Sequence, residues 1–245
     1  MKIMTFNIQH GVIFDDPEKR IDLAAFANYI NEIKPDIVGL NEVRGIPENI
    51  PEPENINEIN APQAKTLASL TNMNYYFAPA LYRDTWLYGN AILSRFDIVK
   101  SEVFPIFSPK KDLRLYDRYE DRCLLKATLS AEGEEINVFV CHMGLCPDEC
   151  LGAVRIICRE LDKTAGKKLL MGDFNATPTD RLLSPIFKRM NDAADKISGS
   201  SLTFPSNLPR VKIDYIFASK EFDIISAEIP EIYVSDHRVH IAEIE

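Results

Sequence analysis

Polar side chains that can bind a metal ion or transfer a proton lie at or near the ends of several predicted strands. They are Asn7, Glu42, His142, Asp173, Asn175 and Asp214, and a further cluster near the C-terminus contains Asp236 and His237. Strand ends carry the loops in which a rigid scaffold can bring side chains from distant parts of the chain together. We therefore expect these groups to meet in one site.

The residue types in this set indicate metal-assisted cleavage of a phosphate ester. Its carboxylate and amide oxygens are hard ligands, which suit Mg²⁺ or Mn²⁺. The imidazoles of His142 and His237 then remain free to contact phosphate or to transfer protons. Such cleavage has to neutralise charge on the non-bridging oxygens, activate a water and stabilise the leaving oxygen, and this set can serve all three needs.

The hydrophobic pattern predicts the elements that position these residues. Apolar runs predict strands over 2–8, 35–43, 75–81, 89–95, 97–107, 122–129, 136–144, 167–175 and 211–219, with two more near the C-terminus. Helical spacing predicts helices over 21–33, 63–71, 148–163 and 182–190. The Pro-rich segment 45–63 is predicted to be a long loop. Because strands outnumber helices, we expect the helices to cover the faces of sheets.

Length and composition predict a globular protein in which residues 1–245 form one domain. Of the 245 residues, 46% are apolar and 27% are charged, which excludes collagen-like, low-complexity and wholly disordered classes. The cysteines number five, and the N-terminal MKIMTFNIQHG lacks a signal-peptide core. No apolar run reaches the roughly 18 residues of a membrane span. These features predict a cytoplasmic protein with no membrane span.

The charge balance bears on the partners of the protein. With 28 basic and 37 acidic residues the net charge is −9, whereas proteins that bind duplex nucleic acid broadly carry an excess of lysine and arginine. A local basic patch can coexist with an acidic chain. The charge therefore disfavours duplex DNA as a partner without ruling it out, and it argues against attraction to anionic membrane surfaces.

Motifs along nearly the whole chain resemble the endonuclease/exonuclease/phosphatase superfamily. In the order of that family they are TFNIQHG, NEV, GNAILSR, CHMGL, GDFNATP, IDYIF and SDHRVH. The family includes pancreatic-type deoxyribonucleases, abasic-site endonucleases, neutral sphingomyelinases, inositol-polyphosphate 5-phosphatases and deadenylases. One such motif is weak alone, whereas the ordered set is specific. The resemblance implies an α+β fold, a four-layer α/β/β/α sandwich in which helices cover two packed, mostly antiparallel sheets.

The resemblance also implies roles for the residues around the metal and the attacking water. Glu42 is the expected principal metal ligand, and Asp236 is expected to lie beside the metal. Asn7 is expected to touch the phosphate or the metal shell. Asp173 is expected to orient or deprotonate the attacking water, with Asn175 binding the phosphoryl oxygens.

Further implied roles concern the phosphate itself. His237 is expected to contact the scissile phosphate as an imidazolium that the carboxylate of Asp214 holds in place. His142 matches family members in which a strand-end histidine contacts phosphate or protonates the leaving group. Arg122 matches a position that is often basic in the family.

One departure from the family pattern concerns the partner of His142. In deoxyribonuclease-like members a glutamate supports this histidine, and the segment YRDTWLYGN offers Asp84 or Tyr88 instead. The sequence therefore leaves open whether His142 acts as a general acid or only contacts the phosphate. Trp86, Tyr82 and Tyr88 are candidates for the wall of the pocket, with core packing expected for at least one of them.

Two further features have competing interpretations. A zinc site of His142 with Cys141, Cys146 and Cys150 is disfavoured because the chain has no CxxC pair, and buried cysteine commonly acts as a small apolar residue. The charged segment 110–121 is either a lip that binds substrate phosphate or a solvated loop. Its basic residues are Lys110, Lys111, Arg114 and Arg118.

The sequence is compatible with three functions. The first is Mg²⁺- or Mn²⁺-dependent hydrolysis of a phosphodiester or phosphomonoester, in a small molecule or a lipid head group. The second is a Mg²⁺-dependent nuclease of the abasic-site or deoxyribonuclease type. The third is a non-catalytic binding module on the same fold, with the 45–63 loop docking a partner. The substrate, the number of metal ions and the oligomeric state stay open, because specificity lies in loops of unknown shape.

Overall fold

The computed structural model of the chain describes residues 1–109 and 118–245. In these residues the strands are β1 Lys2–Asn7, β2 Ile37–Gly45, β3 Asn74–Tyr82, β4 Leu87–Ser94, β5 Asp97–Ile106, β6 Arg122–Ala131, β7 Glu134–His142, β8 Lys168–Asp173, β9 Asn191–Asp192, β10 Asp214–Ala218, β11 Ile224–Glu228 and β12 His240–Ile244. The α-helices are α1 Leu23–Ile33, α2 Gln63–Thr71, α3 Pro147–Lys163 and α4 Ser184–Phe187. None of the described helices is long and apolar enough to cross a membrane.

The strands form two six-stranded sheets that pack face to face. The first sheet has the order β11-β12-β1-β2-β4-β3, and the second has the order β5-β6-β7-β8-β10-β9. Neighbouring strands are antiparallel except in the parallel pairs β1–β2 and β7–β8. The mostly antiparallel pairing agrees with the prediction.

Three apolar clusters separate the layers. One fills the space between the sheets and includes Ile3, Val138 and Ile216. A second lies between the first sheet and helices α1 and α2, and a third lies between the second sheet and helices α3 and α4. This order of layers confirms the predicted α/β/β/α sandwich.

The predicted elements differ from the structure mainly at their ends. Helix α1 begins at Leu23 because the Asp22 carboxylate accepts a hydrogen bond from the Ala25 N–H and caps the first turn. The predicted helix 182–190 is wrong in extent, since a 3₁₀ turn capped by Asp180 precedes the short α4. Strand β10 begins at Asp214, because Val211 forms an isolated bridge elsewhere.

The loops that surround the site meet the predictions in part. Residues 46–62 contain no helix or strand, in agreement with the predicted loop. The predicted lip over 110–121 falls largely outside the described residues, and Arg118 at its end is exposed.

Candidate active site

Strand register places three of the predicted residues in one row. Strand β8 pairs with β7 and β10, so that Asp173 stands opposite His142 on one side and opposite Asp214 on the other. All three side chains are buried. Residues that are distant in the sequence therefore meet across the second sheet, as expected from their positions at strand ends.

Gly172, which precedes Asp173, allows the strands to approach here. Its φ is +134°, and a Cβ atom would lie 1.9 Å from the backbone oxygen of Cys141. Any other residue would collide with β7 and adopt a backbone conformation that side chains disfavour. The close approach of β7 and the positive φ thus explain why a glycine stands at this position of the GDFN motif.

Glu42 reaches the site through an irregularity within a strand. Strand β2 continues to Gly45, whereas the sequence predicted its end at 43. The register shifts between Leu40 and Val43, and Glu42 has a φ of +57°. A non-glycine residue at positive φ is costly and is often found at functional sites. The bulge directs the Glu42 side chain toward the cavity described below.

Buried amides tie the two sheets together beneath the site, and the sequence alone did not predict this role for them. Nδ2 of Asn41 donates to Asn90 Oδ1 at 2.8 Å and to the Cys141 oxygen at 3.1 Å. Oδ1 of Asn41 accepts from the backbone N–H of Asp173 at 2.9 Å. Asn90 in turn donates to the Cys123 oxygen. The sequence signal for this network was an asparagine within an otherwise apolar strand, namely Asn41 in β2 and Asn90 in β4.

Asn7 connects the two sheets at the level of the site. Its Nδ2 donates to Glu42 Oε1 and to Asp173 Oδ2, both at 3.1 Å. Its Oδ1 accepts from the N–H of Gln9. In this arrangement Asn7 holds two carboxylates in place, and its amide oxygen already has a hydrogen-bond partner.

His237 is held between two carboxylates. Its Nδ1 lies 2.9 Å from Asp214 Oδ2, and its Nε2 lies 3.7 Å from Asp173 Oδ2. Burial opposes a charge on this ring, but the carboxylates of Asp214 and Asp173 outweigh it and raise the pKa of His237 to about 10. The ring is therefore an imidazolium at neutral pH. The Phe204 ring packs against it with 4.7 Å between centroids.

Asp173 has the pKa of a group that can exchange a proton near neutrality. Burial raises its pKa to about 7, although His237 and the hydrogen bonds from Asn175 and Asn7 favour the charged form. Its Oδ1 accepts from the N–H of Asn175 at 2.9 Å. One oxygen is thus held by the backbone, while the other faces His237.

His142 is neutral, and its neighbours at Nδ1 are Tyr88 and Arg122. Burial and the nearby charge of Arg122 lower the pKa of His142 well below its ordinary value. The Tyr88 hydroxyl lies 3.5 Å from Nδ1, and Asn175 Nδ2 lies 3.2 Å from Nε2. Of the two residues that the sequence left open, Tyr88 therefore occupies this position. Arg122 donates to the Tyr88 hydroxyl and pairs with Glu120 at 2.7 Å.

These groups line a cavity of about 410 Å³. Among the predicted residues, the lining includes Glu42, Arg122, His142, Asp173, Asn175, Asp236 and His237. Asn7 and Asp214 lie behind it, in contact with its walls. Trp86 and Tyr88 also line the cavity, whereas Tyr82 is 67% exposed and does not.

Several residues of the wall had no role predicted from the sequence. They are His10, Arg44, Glu120, Leu145 and Phe204. His10 lies 3.5 Å from Glu42 and packs against the Tyr88 ring, and burial lowers its pKa to about 4. His10 and Arg44 follow Asn7 and Glu42 closely in the chain, which was the only sequence signal for them.

A comparison with protein families shows to which family the chain belongs. The profile described as "Endonuclease/Exonuclease/phosphatase family" matches residues 4–237. The chain belongs to this family. Its members are generally hydrolytic on phosphoesters and are typically dependent on a divalent metal. None of the curated proteins matches the chain.

Solved structures of the endonuclease/exonuclease/phosphatase family share the fold. An endonuclease/exonuclease/phosphatase from Beutenbergia cavernae has 22% identity and a TM-score of 0.79, with 100% of this chain and 71% of that chain covered. A mannosyl-6-phosphatase from Bacteroides thetaiotaomicron has 16% identity and a TM-score of 0.75, with 100% and 99% covered. The TDP2 of D. rerio in complex with a single-strand DNA product has 15% identity and a TM-score of 0.69, with 100% and 98% covered.

The donor atoms in this family member suit a divalent cation. Glu42 and Asp236 both line the cavity, and burial and the charge of Asp236 raise the pKa of Glu42. Burial also raises the pKa of Asp236. A cation between such carboxylates would favour their charged forms, and hard oxygen ligands match Mg²⁺ or Mn²⁺. The residues present therefore fit the metal that is typical of the family.

Another acidic group in the same region is less suited to a metal. Ligand atoms of Asp173, Asp214 and His237 lie within 4.8 Å of one another. However, Nδ1 of His237 is already hydrogen-bonded to Asp214, and a protonated imidazole cannot ligate a metal. All five cysteines are buried free thiols, and in the described residues none belongs to a group that could hold a metal ion.

Proposed function

We propose that the chain is a divalent-metal-dependent hydrolase of phosphate esters that acts on a small molecule or a lipid head group. One observation carries this proposal: Oδ2 of Asp173, a base with a pKa near neutrality, lies 3.7 Å from Nε2 of the His237 imidazolium in one cavity. A base and a cation at this distance can act on the attacking water and on the phosphoryl oxygens of one ester.

Asp173 is the base that accepts a proton from the attacking water. A pKa of about 7 lets the carboxylate take up a proton and release it at neutral pH. Asn7 Nδ2 donates a hydrogen bond to Oδ2 of Asp173, and the backbone N–H of Asn175 donates one to Oδ1. Both contacts restrict rotation of the carboxylate, so that it keeps one orientation toward the water.

His237, Asn175 and Arg122 bind the phosphoryl group. Nδ1–H of His237 donates to Asp214, so Nε2–H can donate to the phosphoryl oxygens on which negative charge develops. Asn175 shares one amide hydrogen with the neutral His142 at 3.2 Å, and a phosphoryl oxygen can replace that contact. Once that contact is replaced, the tautomer of neutral His142 with its hydrogen on Nε2 donates to the phosphoryl oxygen, and His142 serves as a phosphate contact rather than as the general acid.

Glu42 and Asp236 would hold the cation, with Asn7 fixing the orientation of Glu42. When bound, a divalent cation neutralises phosphoryl charge and stabilises the leaving oxygen. The chain's own contribution is to place both carboxylates in the lining of the cavity and to keep the Asn7 amide between Glu42 and Asp173.

A substrate panel with Mg²⁺ tests the proposal. It contains 4-nitrophenyl phosphate, bis(4-nitrophenyl) phosphate, a phosphocholine ester, single-stranded DNA and a duplex with an abasic site. We expect hydrolysis of at least one small ester that exceeds cleavage of either DNA. Faster cleavage of DNA would favour the nuclease alternative. Absence of cleavage of every substrate with Mg²⁺ or Mn²⁺ would contradict hydrolysis and favour a binding module.

A further inference from the structure

A second cavity of about 470 Å³ lies beside the one that holds the site. The two share one side chain, Arg44, which lines both. The second cavity is bordered by the loop 46–62, the start of α2 and strand β3, and is open on one side. Its apolar wall is formed by Ile46, Pro47, Ile50, Pro62, Tyr75 and Phe77. A group attached to an ester in the first cavity therefore has an adjoining space that is largely apolar.

Arg44 lies at the boundary between the two cavities. Within the described residues its guanidinium makes no ion pair, and its buried Nε has no hydrogen-bond partner. The guanidinium instead lies 4.2 Å from the centroid of the Trp86 ring, and its backbone N–H donates to Gln63. A cation–π contact with the indole does not use the N–H donors of the guanidinium, so they stay available to a ligand.

Arg122, the other arginine of the first cavity, provides the contrast. Its guanidinium is 2.7 Å from Glu120 and also donates to the Tyr88 hydroxyl. Both arginines have a buried Nε without a hydrogen-bond partner, so the difference between them is the ion pair. Arg122 pairs with Glu120, whereas Arg44 has no carboxylate partner among the described residues. A guanidinium that has no ion pair within the described part of the chain can pair with a carboxylate or phosphate oxygen of a ligand.

The charges around the second cavity limit what it can bind. Lys65 in its wall pairs with Glu52 at 2.6 Å, and Glu48 is the further charged residue of the lining besides Arg44. A chain of nucleotide phosphates would need a basic groove here. An apolar body that carries one anionic oxygen group satisfies both the apolar wall and Arg44.

We propose that this second cavity is a specificity subsite of the hydrolase, in which Arg44 pairs with an anionic oxygen and the apolar wall holds an aryl or alkyl body. The substrate class is then a phosphate ester in which the group attached to the scissile phosphate is both apolar and anionic. This inference rests on the proposed function. Because Arg44 contacts the ring of Trp86, the single tryptophan of the chain, binding can be followed by fluorescence without catalysis.

The binding test uses phosphonates, which the enzyme cannot hydrolyse as esters. Trp86 fluorescence is titrated with methylphosphonate, phenylphosphonate, hexylphosphonate and the 3- and 4-phosphonobenzoates, in the presence of Mg²⁺. We expect an apolar body to increase affinity about tenfold over methyl. A carboxylate in one of the two benzoates should increase it about tenfold further. The phenyl and hexyl probes distinguish an aryl body from an alkyl one.

Variants separate the two parts of the subsite. Ile50→Glu places a charge in the apolar wall and should abolish the gain from phenyl or hexyl over methyl. Asn49→Glu is the matched control, since the neighbouring Asn49 is exposed and does not line the cavity. Arg44→Met should abolish the gain from the carboxylate and retain the gain from the phenyl group, as measured by calorimetry.

Hydrolysis of two diesters with the same leaving group distinguishes this inference from the proposed function. Phenyl 4-nitrophenyl phosphate should have a higher kcat/KM than methyl 4-nitrophenyl phosphate, and the ratio should fall toward one in Ile50→Glu but not in Asn49→Glu. Hydrolysis without any preference, together with equal affinities of the phosphonates, would overturn the subsite and leave the hydrolase intact. Selective phosphonate binding without hydrolysis of any ester would overturn the hydrolase instead.

Discussion

Nδ1 of His237 lies 2.9 Å from Oδ2 of Asp214, and both groups are buried. This contact joins the loop that contains the start of the SDHRVH motif to the first residue of β10, and it leaves Nε2 of His237 facing Asp173. A buried imidazolium between two carboxylates is stable only while all of its partners are present. The charge state of His237 is therefore linked to the stability of the protein.

Removal of His237 should change stability in a way that depends on pH. Its pKa is raised from 6.5 to about 10 in the folded protein. Its stabilising contribution is thus complete below about pH 6.5, declines as the pH rises, and is lost above about pH 10. The difference in unfolding free energy between wild type and His237→Gln, measured in urea with EDTA, should shrink from pH 6.5 to 10. A difference that stays constant over this range would contradict the ion pair.

Loss of Asn7 should move the acid limb of the activity profile to higher pH. The Asn7 amide donates to Asp173 and favours the carboxylate, so Asn7→Ala should raise the pKa of Asp173 further. Activity below the limb should fall up to about tenfold for each unit of the shift. The measurement is kcat/KM against pH, with exposed Asn49→Ala as the control. A limb that is unchanged or moves to lower pH would show that Asp173 is not the titrating base.

The amide of Asn41 should matter for both stability and activity. Asn41→Leu removes the hydrogen bonds of this amide to the Asp173 N–H, the Cys141 oxygen and Asn90 Oδ1. Each unpaired buried group costs about 1–3 kcal/mol. We expect a loss of at least about 2 kcal/mol in unfolding free energy and a lower kcat. The control is Asn74→Leu. This substitution removes a hydrogen bond from the Asn74 side chain to the Phe96 oxygen, which is exposed to solvent. Equal effects of the two substitutions would contradict a special role of Asn41.

Cation binding should depend on Glu42 and Asp236. Glu42→Gln and Asp236→Asn should each lower the affinity for Mn²⁺ at least about tenfold, and each should reduce the rise in Tm that the cation produces. Because burial raises the pKa of both carboxyls, neither substitution should destabilise the metal-free protein. Exposed Glu135→Gln is the control, and calorimetry is the measurement. Unchanged affinity in both variants would place the cation elsewhere.

The row of His142, Asp173 and Asp214 was accessible from the sequence because each lies at a strand end. Periodicity is a local signal, and adjacent strands of one sheet bring such ends together. The resemblance to a family then supplied an expected role for each residue. The α/β/β/α layers followed from the same resemblance, in agreement with the number and spacing of the strands.

Other features of the site depend on contacts that local patterns do not encode. The positive φ of Glu42 arises from a register shift against β4, which no periodicity reveals. The Asn41 amide acts across the space between two sheets, and Arg44 contacts Trp86 in the turn between β3 and β4. Long-range packing determines these positions, so the sequence could identify the residue types but not their contacts.

Cation-dependent hydrolysis of the best ester in the panel is the decisive measurement. Protein stripped with EDTA is assayed before and after addition of Mg²⁺ or Mn²⁺, alongside Asp173→Asn and His237→Ala. We predict that stripping abolishes activity, that cation restores it, and that each variant retains less than about one hundredth of the wild-type rate. Full activity in excess EDTA, or wild-type rates in both variants, would contradict a metal-dependent hydrolase built on these residues.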